Sequence, residues 1–99
     1  MSKYLIVIDE GDILEFLEAE TLDKAKDIIH EQLGIAIADR FERFTDIKVV
    51  NVYEGNPDKA KQILEDNNFK VKRIFECYTI QCEKDDDWSA CYLALVEVE

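Results

Sequence analysis

Apolar residues recur along this chain with a period of two in some stretches and of three to four in others, and the switches between the periods divide it into elements. Tyr4-Leu5-Ile6-Val7-Ile8 is a nearly continuous apolar run rich in β-branched residues, the pattern of a strand covered on both faces. Asp9-Glu10-Gly11-Asp12 reads as a turn in which Gly11 supplies the positive φ of a tight hairpin, and Ile13 to Ala19 returns as a second strand. On that second strand Leu14 and Phe16 share one face, and Ile13 and Leu17 share the other.

The period then lengthens. Thr21 suits an N-cap, Asp23 sits in the first turn where the macrodipole favours an acid, and Leu22, Ala25, Ile28, Ile29 and Leu33 form one helical stripe. Gly34 fits a C-terminal cap, and beyond it the pattern is ambiguous: Ile35-Ala36-Ile37-Ala38 also suits an extended segment, while the i, i+4, i+7 spacing of Ile37, Phe41 and Phe44 favours a short second helix over 35–44. Ile47 to Tyr53 is a strand by its β-branched content. Asn56 and Pro57 then supply the N-cap and first position of another helix, whose buried stripe is Ala60, Ile63 and Leu64 and whose stop is Asn67-Asn68, with Phe69 covering its end.

A long strand ending at Cys82 follows, with Ile74, Tyr78 and Ile80 assigned to one face and Val71, Phe75, Cys77 and Thr79 to the other. Glu83-Lys84-Asp85-Asp86-Asp87 is an acidic loop, and Trp88 to Val98 pairs back as a last strand, with Tyr92, Val96 and Val98 alternating with Leu93 and Leu95. The predicted class is α+β, a mainly antiparallel sheet of about five strands with two or three helices in the order ββα(α)βαββ. At 99 residues this is expected to be one domain.

Composition narrows the setting. Hydrophobic residues make up 47% and charged residues 35%, too apolar for an acidic disordered tail. No apolar run approaches the ~18 residues of a membrane span, and the first residues lack the basic start of a signal peptide. Cys77, Cys82 and Cys91 cannot all pair with one another and form no CxxC. The expectation is a cytoplasmic protein with free thiols and no membrane contact.

Charge changes the picture most. The net charge of -11 is confined to the two ends of the chain. Residues 1 to 23 carry Asp9, Glu10, Asp12, Glu15, Glu18, Glu20 and Asp23 against Lys3 alone, and residues 83 to 99 carry six acids against Lys84, whereas residues 24 to 82 balance ten acids with ten bases. If the fold brings the two hairpins together, one side of the molecule becomes a strong negative field.

The residues that suggest chemistry have simpler readings beside them. Glu83 with Asp85, Asp86 and Asp87 offers carboxylates to a hard cation, but adjacent aspartates on an extended chain point to opposite sides and no D-x-D-x-D-G loop is present. A solvated hairpin end accounts for them, and no metal or other cofactor is assigned. His30 falls on the polar side of its helix near Asp27 and Glu31, with no nucleophile or second base to complete a catalytic group. Cys77 and Cys82 are an odd number of positions apart and face opposite sides of a regular strand, which argues against a shared zinc. Lys59, Lys61, Lys70, Lys72 and Arg73 make one basic cluster, diluted by Asp58, Glu65 and Asp66, so direct nucleic-acid binding is not expected.

The charge pattern therefore predicts a non-enzymatic protein that binds the basic surface of a protein partner through Asp9, Glu10, Asp12, Glu15, Glu18, Glu83, Asp85, Asp86 and Asp87, with Trp88 as the aromatic anchor beside them. Carboxylates on a rigid sheet stand in for phosphates, and a nuclease or nucleic-acid-binding protein is the partner class this favours. By size and charge only, with no shared motif, the chain resembles the small acidic anti-restriction and anti-CRISPR proteins of phages. Two alternatives remain at this stage: an assembly module that forms a homo-oligomer or binds a host subunit, and a small metal-dependent enzyme.

Overall fold

The computed structural model describes residues 3–43, 47–84 and 87–99, with side chains described outside 42–49 and 82–90. The elements are β1 (Lys3–Asp9), β2 (Leu14–Ala19), α1 (Leu22–Arg43), β3 (Ile47–Glu54), α2 (Pro57–Asp66), β4 (Val71–Lys84) and β5 (Asp87–Val98). The class is α+β: all five strands join one antiparallel sheet in the spatial order β2-β1-β5-β4-β3. Each sheet face carries its own core. Ala25, Ile29 and Ala36 of α1 pack on Ile6, Ile8, Ile80, Cys91, Leu93 and Leu95. Ala60 and Leu64 of α2 pack on Leu5, Val7, Cys77, Tyr92, Ala94, Val96 and Val98 across the sheet. Because β1 and β5 lie inside the sheet with a helix on either side, successive residues of 5–8 and of 91–96 are buried alternately in the two cores, and both stretches are apolar throughout. Fully burying each such Leu, Ile or Val contributes about 1.5–3 kcal/mol before chain entropy is subtracted. Among the described residues no helix is long and apolar enough to cross a membrane.

α1 begins as its sequence dictates, with Thr21 Oγ1 accepting from the Lys24 N–H at 3.2 Å. It does not end at Gly34. The helix runs unbroken to Arg43, about 33 Å at 1.5 Å per residue, and Gly34 has helical φ with an open flank. The separate second helix expected over 35–44 is the second half of α1 up to Arg43, and Phe44 lies outside the described residues. The reason is that the buried stripe continues through Ile29, Leu33, Ala36 and Arg40, and packing along it outweighs the weak helix propensity of one glycine. Arg40 is 4% exposed, its Nη1 donating to the Ala36 carbonyl at 3.1 Å while Nε has no partner among the described residues.

α2 forms at the predicted place, Asn56 Oδ1 accepting from the Asp58 N–H at 3.0 Å ahead of Pro57, and Asn68 closing the helix with φ of 68°. Between β3 and α2 the chain passes over β4 at Gly55. There the Gly55 N–H donates to the Cys77 carbonyl at 2.9 Å, and a Cβ would stand 2.9 Å from Tyr92 Cε1 and 3.0 Å from the Tyr78 nitrogen. The Tyr92 hydroxyl, reaching from β5, donates to the Asn56 carbonyl at 2.6 Å and ties the start of α2 to the sheet.

β4 departs from the simple alternation. Its register against β5 shifts between Val71 and Arg73 and again between Ile74 and Glu76, so Lys72 and Phe75 have no counterpart in β5. The second shift exchanges two assignments: Ile74 joins Val71 and Cys77 in the core under α2, while Phe75 joins Tyr78 and Ile80 under α1. Beyond both shifts the facing returns to that of regular alternation, so Val71 shares a face with Cys77, although its partner Val98 is displaced by two positions from the register of the rest of the strand.

Candidate functional site at the turn end of the sheet

The strand directions decide where the charge falls. β1 and β5 are antiparallel neighbours with Asp9 opposite Tyr92, and β5 pairs with β4 up to Lys84 opposite Asp87. The β1–β2 turn and the β4–β5 hairpin therefore leave the same end of the sheet. They are not level: the β4–β5 hairpin continues beyond Asp9 by the five positions from Tyr92 to Asp87, roughly 16 Å. One acidic turn forms a ledge at the foot of a projecting arm in which β4 is paired with β5 on one side and with β3 on the other.

On the ledge, Asp9 Oδ1 accepts from the Gly11 N–H at 2.9 Å, and its Oδ2 lies 3.6 Å from Lys59 Nζ, which also sits 4.9 Å from the centroid of the Tyr92 ring. Asp9 is thus partly neutralised and structural. Glu10, Asp12 and the exposed Glu15, opposite Ile8, have no ion pair among the described residues. Glu18 lies apart from this group. It pairs with Leu5 nearer the other end of the sheet and meets Lys3 Nζ at 3.0 Å. In the arm, register sets Glu83 opposite Trp88. Asp85 and Asp86 lie outside the described residues.

The far end of the sheet is balanced instead. Lys70 meets Glu99 at 3.2 Å and Lys72 meets Glu97 at 3.9 Å, so the bases of the local cluster offset the acids of the chain's last residues. These exposed pairs add little stability, about 0–1 kcal/mol each, but they set where net charge remains. The acids of residues 83 to 99 are therefore divided between the two ends of the sheet, a division the linear sequence does not reveal.

A second polar group gathers under α1. His30 Nε2 is 3.1 Å from Glu76 Oε1, and the Tyr78 hydroxyl donates to the same oxygen. The histidine is exposed as expected, but its partner is Glu76 of β4 rather than the acids near it on α1. Alternation explains this, because Glu76 pairs with Leu95 and stands in step with Tyr78 and Ile80 on the face that α1 covers. Burial alone would raise the Glu76 carboxyl, but the hydrogen bonds from Tyr78 and His30 hold it below its ordinary value. The hydrogen bond to Glu76 pushes the Tyr78 phenol up to about 12. Glu76 and Tyr78 also line an open cleft of about 530 Å³ with Val52, Tyr53, Glu54 and Phe75.

The described thiols are quiet. Cys77 and Cys91 are buried and free, and burial pushes Cys91 up to about 11 against the opposing pull of Arg40. Cys91 floors a recess of about 230 Å³ shared with Glu10, Gln32 and Asp39. Among the described residues no three His, Cys, Asp or Glu side chains gather in a way that could hold a metal ion. Compared with family models, with curated proteins and with solved structures, the chain matches none, so its function must be argued from its own geometry.

Proposed function

We propose that this chain is a non-enzymatic binding protein whose acidic turn end docks on a basic surface of a protein partner and occupies there the place of nucleic acid. The observation that carries the reading is the exit of both acidic hairpins from one end of adjacent strands β1 and β5, with Glu10, Asp12 and Glu15 free of ion pairs among the described residues. Carboxylates held on a hydrogen-bonded sheet lose little further freedom on binding, and they meet the same Lys and Arg side chains that a phosphate backbone meets. The partner class is a nuclease or a nucleic-acid-binding protein. The protein itself needs no cofactor for this role and acts in the cytoplasm.

The test is competition for DNA-binding proteins and nucleases across a salt series. Glu10→Lys with Asp12→Lys reverses charge on the ledge, and Glu31→Lys with Glu65→Lys makes the same change in net charge at exposed sites on the helices. The reading expects the ledge variant to lose inhibition and the helix variant to retain most of it, with binding falling steeply as salt shortens the Debye length from about 10 Å at 0.1 M to about 3 Å at 1 M. Equal loss in both variants would reduce the effect to net charge and refute a localised site.

A further inference from the structure

We infer that the recess between α1 and the end of β1, resting on the docking end proposed above, receives the side chain of one arginine from the protein partner. The recess holds about 230 Å³, with Ile8, Ile35 and Leu93 as apolar walls and Glu10, Gln32 and Asp39 as polar groups. Pockets that take a whole drug-sized ligand run to ~300–1,000 Å³, so this one has room for a single long side chain.

Its lining combines aliphatic surface with negative charge. Ile35 stays 52% exposed beside it. The floor is uncharged at neutral pH, because burial pushes the Cys91 thiol up to about 11. Asp39 has an interaction of its own, so the recognition falls to Glu10. Glu10 and Gln32 are both half-buried, and neither the carboxylate nor the amide has a partner among the described residues. The turn fixes Glu10 at its backbone: the Glu10 N–H donates to the Ile13 carbonyl at 2.9 Å, and the next N–H, of Gly11, donates to Asp9 Oδ1 at 2.9 Å.

An arginine side chain is divided in the same way, into an aliphatic stem that favours apolar contact and a planar fork of N–H donors. Its stem displaces water from Ile8, Ile35 and Leu93, while the guanidinium donates two parallel hydrogen bonds to Glu10 and keeps a donor for Gln32 Oε1. Lysine brings a compact, strongly hydrated charge without the fork and fits less well. Arg40 does not block a cation here. It lies beside Cys91 but is 4% exposed and outside the lining, and its positive field at Cys91 is opposed by Glu10 and Asp9.

Glu10 also belongs to the acidic turn, so an arginine seated beside it brings the surrounding basic surface against Asp12 and Glu15. The recess supplies a desolvated anchor, and the turn supplies the charge that steers the approach.

Titrating the isotope-labelled chain by NMR with Nα-acetyl-arginine amide, and in parallel with the citrulline and lysine analogues, reads the recess without any partner. The arginine derivative should shift the amide signals of Glu10, Gln32 and Ile35 saturably at millimolar concentration. The uncharged citrulline analogue should not, and the lysine analogue should bind several-fold more weakly. Glu10→Gln, which keeps the size of the side chain, should weaken arginine binding roughly tenfold, and Glu31→Gln, at an exposed site on α1, should leave it unchanged. Shifts that never saturate, equal binding of the citrulline or lysine analogue, or an unaltered affinity in Glu10→Gln overturns the inference. Failure of the docking end is distinguishable from failure of the recess. If the Glu10→Lys with Asp12→Lys variant loses inhibition while arginine does not bind, the docking end stands and the recess is refuted. If arginine binds while no nuclease or DNA-binding protein is inhibited, the recess stands and the partner class is refuted.

Discussion

Adding one methyl group at Gly55 and one at Gly34 is expected to move stability in opposite directions. At Gly55 a Cβ would meet Tyr92 Cε1 at 2.9 Å, the Tyr78 nitrogen at 3.0 Å and the Cys77 carbonyl carbon at 3.1 Å. Two of these three atoms belong to the backbone of β4, which is held between β3 and β5 and cannot recede without breaking its ladders. Overpacking of this kind costs about 1–3 kcal/mol, and the reduced freedom of the unfolded chain returns about 0.4–1 kcal/mol of it. The expected net loss for Gly55→Ala is about 1–2 kcal/mol. At Gly34 nothing lies within 4 Å of the new Cβ, φ is helical and the site is exposed, so Gly34→Ala should stabilise by about 0.5–1 kcal/mol. Urea unfolding followed by circular dichroism reads both as shifts of midpoint at unchanged slope. Loss of stability in Gly34→Ala would mean that α1 breaks there after all, and a neutral Gly55→Ala would mean that the crossing over β4 is looser than described.

Two further outcomes follow from the contacts of Tyr92 and Tyr78. Tyr92→Phe removes the hydrogen bond to the Asn56 carbonyl, and Asn56→Ala removes the cap of α2; each should cost about 1 kcal/mol in the same unfolding assay. Folding raises the Tyr78 phenol from its ordinary 10.0 to about 12, so its contribution is fully present below pH 10 and is lost as pH rises toward 12. The Glu76 carboxyl is lowered, so its contribution is present above the ordinary carboxylate value and is lost as pH falls through its folded value. Midpoints measured against pH should accordingly fall less on the alkaline side in Tyr78→Phe and less on the acid side in Glu76→Gln than in the wild type.

Short-range chemistry made much of this fold legible from sequence. The apolar run of β1, the alternation in β5, Thr21 before α1 and Asn56-Pro57 before α2 all depend on residues within a turn or two of one another. Gly34 misled because its cap reading weighs one residue, whereas the helix is decided by a stripe that continues on both sides of it. Ile74 and Phe75 were exchanged because a bulge is a property of two paired strands, and neither strand alone announces it. His30 and Glu76 stand 46 positions apart and meet only through α1 packing on β4. The burial of Arg40 runs against its charge, and its place four positions after Ala36 on the buried stripe is the one local signal of it. For the acidic site, the charge totals were legible but not their division: Glu97 and Glu99 belong to the opposite end from the arm.

The two bulges in β4 also bear on how this chain can change length. β4 has 14 residues where β5 has 12, and the surplus is Lys72 and Phe75. Removing either would leave every other residue of β4 opposite its present neighbour, so the strand holds two units of slack at its outer half. Phe75 is the dearer one to lose, since its ring packs in the core under α1 and meets Tyr4 at 6.2 Å between centroids. Lys72, an exposed residue, is where a one-residue deletion should pass most easily. From Cys77 to Lys84 the pairing with β5 runs without a break, so a deletion there would reverse the facing of the residues on one side of it. Length variation in relatives of this chain should therefore concentrate at the start of β4 and spare the base of the acidic arm.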